Sequence, residues 1–229
     1  FYFFVMVSTK KSRIFGASSE VFARGYDILG NIAIVKFSRG TENSEKKSFA
    51  RKLTKQHRGV KTVLEKTEKF KGRLRTLKTK YILGQRTKEA LYRENDCVFR
   101  FNVETCYFSP RLASERKEIA EQVKKNESVL VMFGGVAPFA IVIAKRVRPK
   151  RIVSVELGKE CNKYAIENVK RNKVDVELIQ GDVRKKVPLL KDKFDRIVMA
   201  RPNLEDSFLD VAFKKIKKKG IVHYFGFYK

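Results

Sequence analysis

The sequence predicts an α/β protein: a doubly wound domain over residues 109–229, preceded by a small basic α+β module over residues 1–108. Three observations carry that expectation. Apolar strands alternate with helical segments after Arg111, a Gly-Gly turn directly follows the first of those strands, and a strongly cationic block precedes them. Strands alternating with helices imply βαβ units and a parallel sheet.

In the first module, Tyr26–Val35 reads as a turn followed by an alternating strand. Ala90–Phe101 and Val103–Ser109 read as strands rich in aromatic and branched residues, with Glu94-Asn95-Asp96 as turn residues. Leu112–Lys124 is an expected helix with Ser114 or Ser109 as its cap. Val129–Phe133 is a continuous apolar run, as in a strand buried on both faces. A helix at Pro138–Arg146, a strand at Ile152–Glu156, a helix at Lys159–Asn172 and strands at Val176–Ile179 and Phe194–Met199 follow. The pattern closes with a helix at Leu204–Lys218 and a strand at Ile221–Phe227.

Composition narrows the function classes. The 229 residues carry 52 Lys+Arg against 25 Asp+Glu, a net charge of +27, alongside 43% apolar residues. That apolar fraction argues against a disordered chain, and the charge points to a polyanion, nucleic acid first. Residues 51–88 hold 14 Lys and Arg against only Glu65 and Glu68, a net of +12. Cys97, Cys106 and Cys161 form no CxxC pair and no metal-spaced cluster, so buried free thiols, a reducing cytoplasm and no metal are expected. No apolar run reaches about 18 residues, so no membrane span is expected. Phe1–Val7 is apolar but has no basic residues before it, which makes it a poor signal peptide. The chain opens without Met, which suggests a start at Met6 or a fragment.

In open α/β sheets a ligand lies beyond the carboxyl ends of the strands. Phe133-Gly134-Gly135-Val136-Ala137-Pro138-Phe139 occupies the first such turn, where glycines let a backbone approach a ligand. Glu156 ends the second strand, where an acid can accept two hydrogen bonds from a ribose diol. Asp182 follows the third and can face an adenine amino group. Singly, each reads as a turn or a solvated carboxylate; together they indicate an adenosine pocket. A dinucleotide site would show G-x-G-x-x-G. Here the third glycine is absent and Pro138 starts the helix, which favours S-adenosylmethionine, a ligand without a pyrophosphate.

These residues belong to a longer match. From about Tyr26 to Tyr224 the chain resembles the archaeal and eukaryal tRNA (guanine-37, N1) methyltransferases, a family that includes enzymes of wyosine-base synthesis. The resemblance runs through Gly25–Ile34, Lys55-Gln56-His57, Val60–Leu64 and Arg93–Cys97. It continues through Gly181–Arg184, Phe194–Met199 and Val222-His223-Tyr224. Its most specific block is Tyr107-Phe108-Ser109-Pro110-Arg111-Leu112-Ala113-Ser114-Glu115-Arg116. The family implies a Rossmann-like methyltransferase domain after an RNA-binding module, with S-adenosylmethionine as cofactor, tRNA as partner and a monomeric state. Glu115 is then the general base for guanine N1. Arg75, with Arg73 as the alternate, stabilises charge developing on O6. The expected cofactor shell is Phe133, Gly135, Pro138, Glu156, Leu157, Asp182 and Val183; Arg73, Arg111 and Pro202 are the expected substrate contacts. Glu115 and Arg116 read equally well as helix-surface charges, and Arg75 as one phosphate-binding cation among many. Tyr107 and Phe108 read as base-stacking or core aromatics, His57 as a surface or tRNA contact, and His223 as a satisfied strand residue.

The chain departs from the family at three positions. Val131 stands where the family has an acid, Ala137 where the turn pattern Met-Phe-Ala-Gly-Val-Gly-Pro-Phe has its later glycine, and Ala200-Arg201-Pro202 where it has Asn-Leu-Pro or Asn-Pro-Pro. These departures suggest, as an alternative, a catalytically impaired tRNA-binding paralogue. Aminocarboxypropyl transfer in the wyosine pathway is the enzymatic rival. The apolar strand so near Lys229 suggests a truncated reading frame, and the resemblance suggests a form without the extra amino-terminal domain of some family members.

Overall fold

Gly30 and Asn31 make the first reversal among the described residues. Gly30 has φ +62°, and a Cβ there would lie 1.9 Å from the Leu91 carbonyl oxygen, so both conformation and space require glycine. The Asn31 amide accepts from Leu91 N–H at 2.7 Å and donates to the Glu89 carbonyl at 3.3 Å. The computed structural model describes residues 23–200 and 206–225. Tyr26–Val35 is therefore not a turn and one strand but parts of two, β1 (Ala23–Leu29) and β2 (Ile32–Phe37), paired antiparallel.

Helix α1 (Asn43–Gln56) follows, with a capping box in which the Glu42 N–H donates to the Glu45 carboxylate at 2.8 Å. Then come β3 (Thr62–Lys66), β4 (Thr79–Gly84) and the hairpin β5 (Glu89–Glu94) and β6 (Cys97–Asn102). The four-stranded sheet has order β1-β2-β3-β4, with β2 and β3 parallel across the α1 crossover. Phe49, Ala50 and Leu53 of α1 bury against Ala33, Val35, Val63 and Ile82 of that sheet. Val103–Ser109 is not a strand. Asn102 Oδ1 accepts the Glu104 N–H at 2.9 Å, an Asx-type turn that ends β6.

The chain divides into two compact units. Among the described residues, one comprises 23–93 and 99–110, and the other comprises 94–98 and 111–225. The second unit contains α2 (Ala113–Gln122), β7 (Ser128–Met132), α3 (Pro138–Arg146), β8 (Arg151–Glu156), α4 (Lys159–Asn172) and β9 (Glu177–Gln180). It continues with the short α5 (Val183–Lys186), β10 (Phe194–Met199), α6 (Leu209–Lys215) and β11 (Ile216–Tyr224). All five strands are parallel in the order β11-β10-β7-β8-β9. Every residue of β7 is buried, as expected of a central strand covered on both faces. Helix α2 is shorter than expected and has no side-chain cap: Leu112, not Ser109 or Ser114, is its N-cap. Helix α6 is only Leu209–Lys215, and Lys217–Lys219 are strand. Residues 204, 205, 226 and 227 of the expected last helix and strand lie outside the described residues.

Two polar clusters fasten the amino ends of these strands. Asp195 of β10 accepts from Ser128 N–H and Oγ–H, each at 2.8 Å, and from Lys217 Nζ at 2.8 Å. Those partners outweigh burial and hold its carboxyl down at about 2. Arg196, 2% exposed, donates to the Glu127 carboxylate at 2.8 and 3.2 Å, to the Gln122 carbonyl at 2.9 Å and to His223 Nε2 at 2.7 Å. Among the described residues the buried Nδ1 of His223 has no hydrogen-bond partner, so the ring is satisfied on one side only.

Burial and then the adjacent Arg196 guanidinium push the His223 imidazole down to about 4 from 6.5. The folded protein therefore holds this ring neutral while the unfolded chain protonates it. Stability is full above about pH 6.5 and falls as pH drops towards 4, by about 3 kcal/mol for this group. His223→Gln is expected to flatten urea-melt stability across that window relative to the parent; an unchanged pH slope would refute the assignment.

Candidate functional site

The strand order reverses at β7, whose neighbours are β8 on one side and β10 on the other. The carboxyl ends of β7 and β10 are therefore the crevice in which doubly wound sheets take ligands. After β7 the chain turns through Phe133, Gly135 and Ala137 at φ +61°, +57° and +65°, three left-handed residues in five. Ala137 N–H donates to the Gly134 carbonyl at 2.8 Å and Pro138 opens α3. Ala137 is fully buried and left-handed, where glycine is unstrained; an alanine there costs about 1 kcal/mol.

Glu156 organises this turn. One carboxylate oxygen accepts Gly135 N–H at 2.7 Å and the other accepts Gly158 N–H at 2.7 Å. The same residue's carbonyl accepts Gly181 N–H at 2.8 Å, and the Leu157 carbonyl accepts from the Gln180 amide at 3.0 Å. The structure thus gathers Gly135, Glu156, Leu157 and the Gly181-Asp182 turn at the ends of three strands. Asp182 accepts Arg184 N–H at 2.9 Å as the cap of α5, and Val183 beside it is buried. The Phe133 ring meets Phe208 edge-on at 5.1 Å, and Phe208 lies 4.6 Å under the Arg184 guanidinium. A carboxylate oxygen carries two acceptor sites, so Glu156 keeps one on each oxygen for a diol. Acceptor carboxylates, backbone turns and apolar Phe133 and Val183 together fit a nucleoside.

Glu115 lies half-buried in the first turn of α2. Arg116 is no surface charge. It is 2% exposed and forms a two-pronged pair with Glu94, one prong at 2.7 Å, while Asn95 donates to the Ala113 carbonyl at 2.9 Å. Breaking such a pair on one side typically costs about 3–5 kcal/mol. Arg111 is exposed in the 3-10 turn that precedes α2. Val131 is a buried residue of β7 opposite Ser154 and Val198, and Ala200 is half-buried just beyond β10. Pro202 lies outside the described residues.

Arg73 and Arg75 belong to the first unit, in the loop between β3 and β4. Arg75 has φ +52°, and its guanidinium lies 3.6 Å over the Tyr107 ring, which meets Phe70 edge-on at 5.0 Å. Lys66 caps the Phe70 ring at 4.2 Å. Tyr107 is therefore the partner of Arg75, a pairing that separation in sequence hides. Phe108 is core, stacked on Phe101 at 4.7 Å. His57 shares a hydrogen bond with the Tyr26 hydroxyl at 3.2 Å. The three cysteines are free and buried, and burial raises the Cys97 thiol to about 11. Among the described residues no helix is long and apolar enough to cross a membrane, and no three His, Cys, Asp or Glu residues group to hold a metal.

Residues 90–229 match the TRM5/TYW2 methyltransferase domain, and residues 17–87 match the TYW2 N-terminal domain. The chain belongs to the TRM5/TYW2 methyltransferase family. Among its relatives, tRNA (guanine(37)-N(1))-methyltransferase Trm5b of Pyrococcus abyssi is 36% identical over 88% of this chain and 59% of its own length. The crystal structure of Trm5b from that organism superposes with a TM-score of 0.78 at 35% identity, over 89% of this chain and 60% of that one. A tRNA(Phe) (4-demethylwyosine(37)-C(7)) aminocarboxypropyltransferase of Methanocaldococcus jannaschii is 33% identical over 87% of this chain and 76% of its own length. The M. jannaschii TYW2 structure in complex with AdoMet aligns with a TM-score of 0.64 at 26% identity, over 87% of this chain and 74% of that one. The chain thus spans about three fifths of the Trm5b length. Its fold is the Rossmann-like methyltransferase fold expected from the sequence.

One further difference from the family turn pattern escaped the sequence reading. Gly134 stands where that pattern has alanine, and a Cβ on Gly134 would lie 2.1 Å from Ser154 Oγ and an ordinary 3.4 Å from Ser154 Cβ. Gly134→Ala is expected to lower stability by about 1–3 kcal/mol through overpacking. Ser154→Ala in the same chain should restore most of it. A double-mutant cycle in urea that shows no coupling would refute the contact.

Proposed function

We propose that this chain transfers a methyl group from S-adenosylmethionine to N1 of guanine-37 in tRNA. The Glu156 carboxylate carries the reading: clasped to the Gly135 turn and the start of α4, it presents acceptors at the switch point where a nucleoside's ribose belongs. Phe133, Gly135, Pro138, Leu157, Asp182 and Val183 complete the proposed cofactor shell. When bound, S-adenosylmethionine supplies an electrophilic methyl on sulfonium. The chain's own residues deal with the guanine. Glu115 takes the N1 proton, so that the N1 lone pair is free to attack. Arg75 offsets the negative charge that gathers on O6. Arg73, Arg111 and Pro202 hold the substrate. Residues 1–108 serve as the tRNA-recognition module and 109–229 as the catalytic domain, acting as a monomer in the cytoplasm.

Two observations favour rival outcomes of one assay. The match of residues 17–87 to a TYW2 N-terminal domain and the aminocarboxypropyltransferase relative favour transfer of the other chain on the sulfonium. Ala137 at φ +65° and Val131 in the apolar strand favour a protein that binds without catalysis. Purified protein is to be incubated with tRNA transcripts and cofactor labelled either in the methyl or in the aminocarboxypropyl group. Methyl label on transcripts with guanine-37, and none on adenine-37, is the expected result. Aminocarboxypropyl label, or tRNA binding without label, replaces the reading with the corresponding rival. Glu115→Gln should slow methylation by about 100-fold or more with tRNA affinity retained; an unchanged rate removes Glu115 as the base.

A further inference from the structure

The second unit has another concavity, at the opposite end of its sheet from Glu156. A cavity of about 560 Å³ opens where α3 and α4 end and β8 and β9 begin. Lys145, Arg148, Lys150, Arg151 and Lys173 line it, against Asp175 and Glu177. Arg151 is occupied by Glu177 at 2.7 Å and Asp192 at 2.7 Å, and Lys145 donates to the Asn172 carbonyl at 3.2 Å. Among the described residues, the heads of Arg148, Lys150 and Lys173 have no hydrogen bond and no carboxylate within 4.0 Å. Three unneutralised cations thus share one recess.

Their placement is not what helix termination alone calls for. Arg148 and Lys173 end their helices at φ +52° and +54°, positions that glycine or asparagine fills without strain. A cation near a helix carboxyl end does complement the helix dipole, but Lys145, Arg146, Lys170 and Arg171 in the last turns already do so. Lys150 belongs to neither helix. With Glu177 paired to Arg151, five cations stand against two carboxylates in this recess, and that excess of positive charge favours an anion.

We propose that this recess is a second polyanion site, which takes backbone phosphates of the RNA substrate away from the reacting base. The inference rests on the reading that the chain acts on tRNA, and the shared chemistry is the phosphate oxygen, whether of a diester backbone or of free phosphate. Phosphates held here anchor the RNA without reading its sequence, because they carry no base information.

The test uses the whole chain and a tRNA transcript, with affinity measured from about 50 to 200 mM salt. A variant carrying Arg148→Ser, Lys150→Ser and Lys173→Ser should make the log–log salt dependence shallower by about 2–3 units, roughly one per lost contact. A control losing the same charge at exposed Lys214, Lys218 and Lys219 should change it by less than about 1 unit. Should the triple variant misfold, Lys150→Ser alone gives the same readout at about 1 unit. An unchanged slope, or an equal change in the control, overturns the site. Calorimetric binding of inorganic phosphate to the parent but not to the variant, with tRNA binding the same in both, overturns the RNA assignment in favour of a free anion. If the parent binds no tRNA at all, the proposed function fails together with this inference; parent binding with an unchanged variant slope sinks this inference alone.

Discussion

Two backbone N–H groups, those of Gly135 and Gly158, converge on the single carboxylate of Glu156. That convergence ties together the turn after β7, the end of β8 and the entry to α4, and the Gly181 N–H on the Glu156 carbonyl adds the end of β9. Charge-assisted hydrogen bonds of this kind are roughly twice as strong as neutral ones. They also hold the Gly134–Gly135 peptide in place, at the middle of a turn in which Phe133, Gly135 and Ala137 are left-handed. The carboxyl edge of the sheet is therefore tied together by the chain's own backbone and Glu156.

The same constraint explains which parts of the chain were legible from the sequence. Pro138 and Gly158 punctuate the entries to α3 and α4, and both helices run as the residue pattern indicates, Pro138–Arg146 and Lys159–Asn172. Strand β10 does too, because its apolar run is bounded by turn residues. Elsewhere charge hid the pattern. β3 and β4 lie inside the cationic block and are only five and six residues long, so the lysines and arginines around them mask the strand pattern. Lys214–Lys218 reads as helix because lysine is a good helix former, yet Ile216 pairs with Phe194 and the strand begins there. Pairing with a sheet neighbour outweighed local propensity, which is worth only a few tenths of a kcal/mol per residue, about 0.3 between such residues.

The candidate site divides in the same way. Glu156 and Asp182 were visible because strand ends in a parallel sheet share an edge, so their proximity follows from topology alone. The pairing of Arg75 with Tyr107 and of Arg116 with Glu94 was not visible, since each joins segments distant in sequence. The tip of the β5–β6 hairpin is instructive here: Glu94 and Asn95, which the sequence presents as turn chemistry, hold Arg116 and the Ala113 carbonyl on either side of Glu115.

Departures from a family pattern acquire meaning only with their neighbours. Ala137 is left-handed, a conformation that glycine adopts without strain, so this turn runs at the cost of local strain. At Gly134 the change runs the other way: the methyl that the pattern places there is absent, and Ser154 Oγ occupies its space. One position thus carries alanine at a left-handed angle and the other carries glycine, with the Gly135–Glu156 contact between them. The turn tolerates exchange at its flanks because the carboxylate, rather than the flanking side chains, sets its course. Val131 follows different logic, since it sits within the strand and replaces an acid with an apolar side chain in the core of β7. An acid there would be desolvated and would need a partner to remain charged; valine removes that demand, and with it any polar contact the acid would have supplied to the crevice. The backbone course of this crevice is therefore held by Glu156, through contacts in which the side chain at position 131 takes no part.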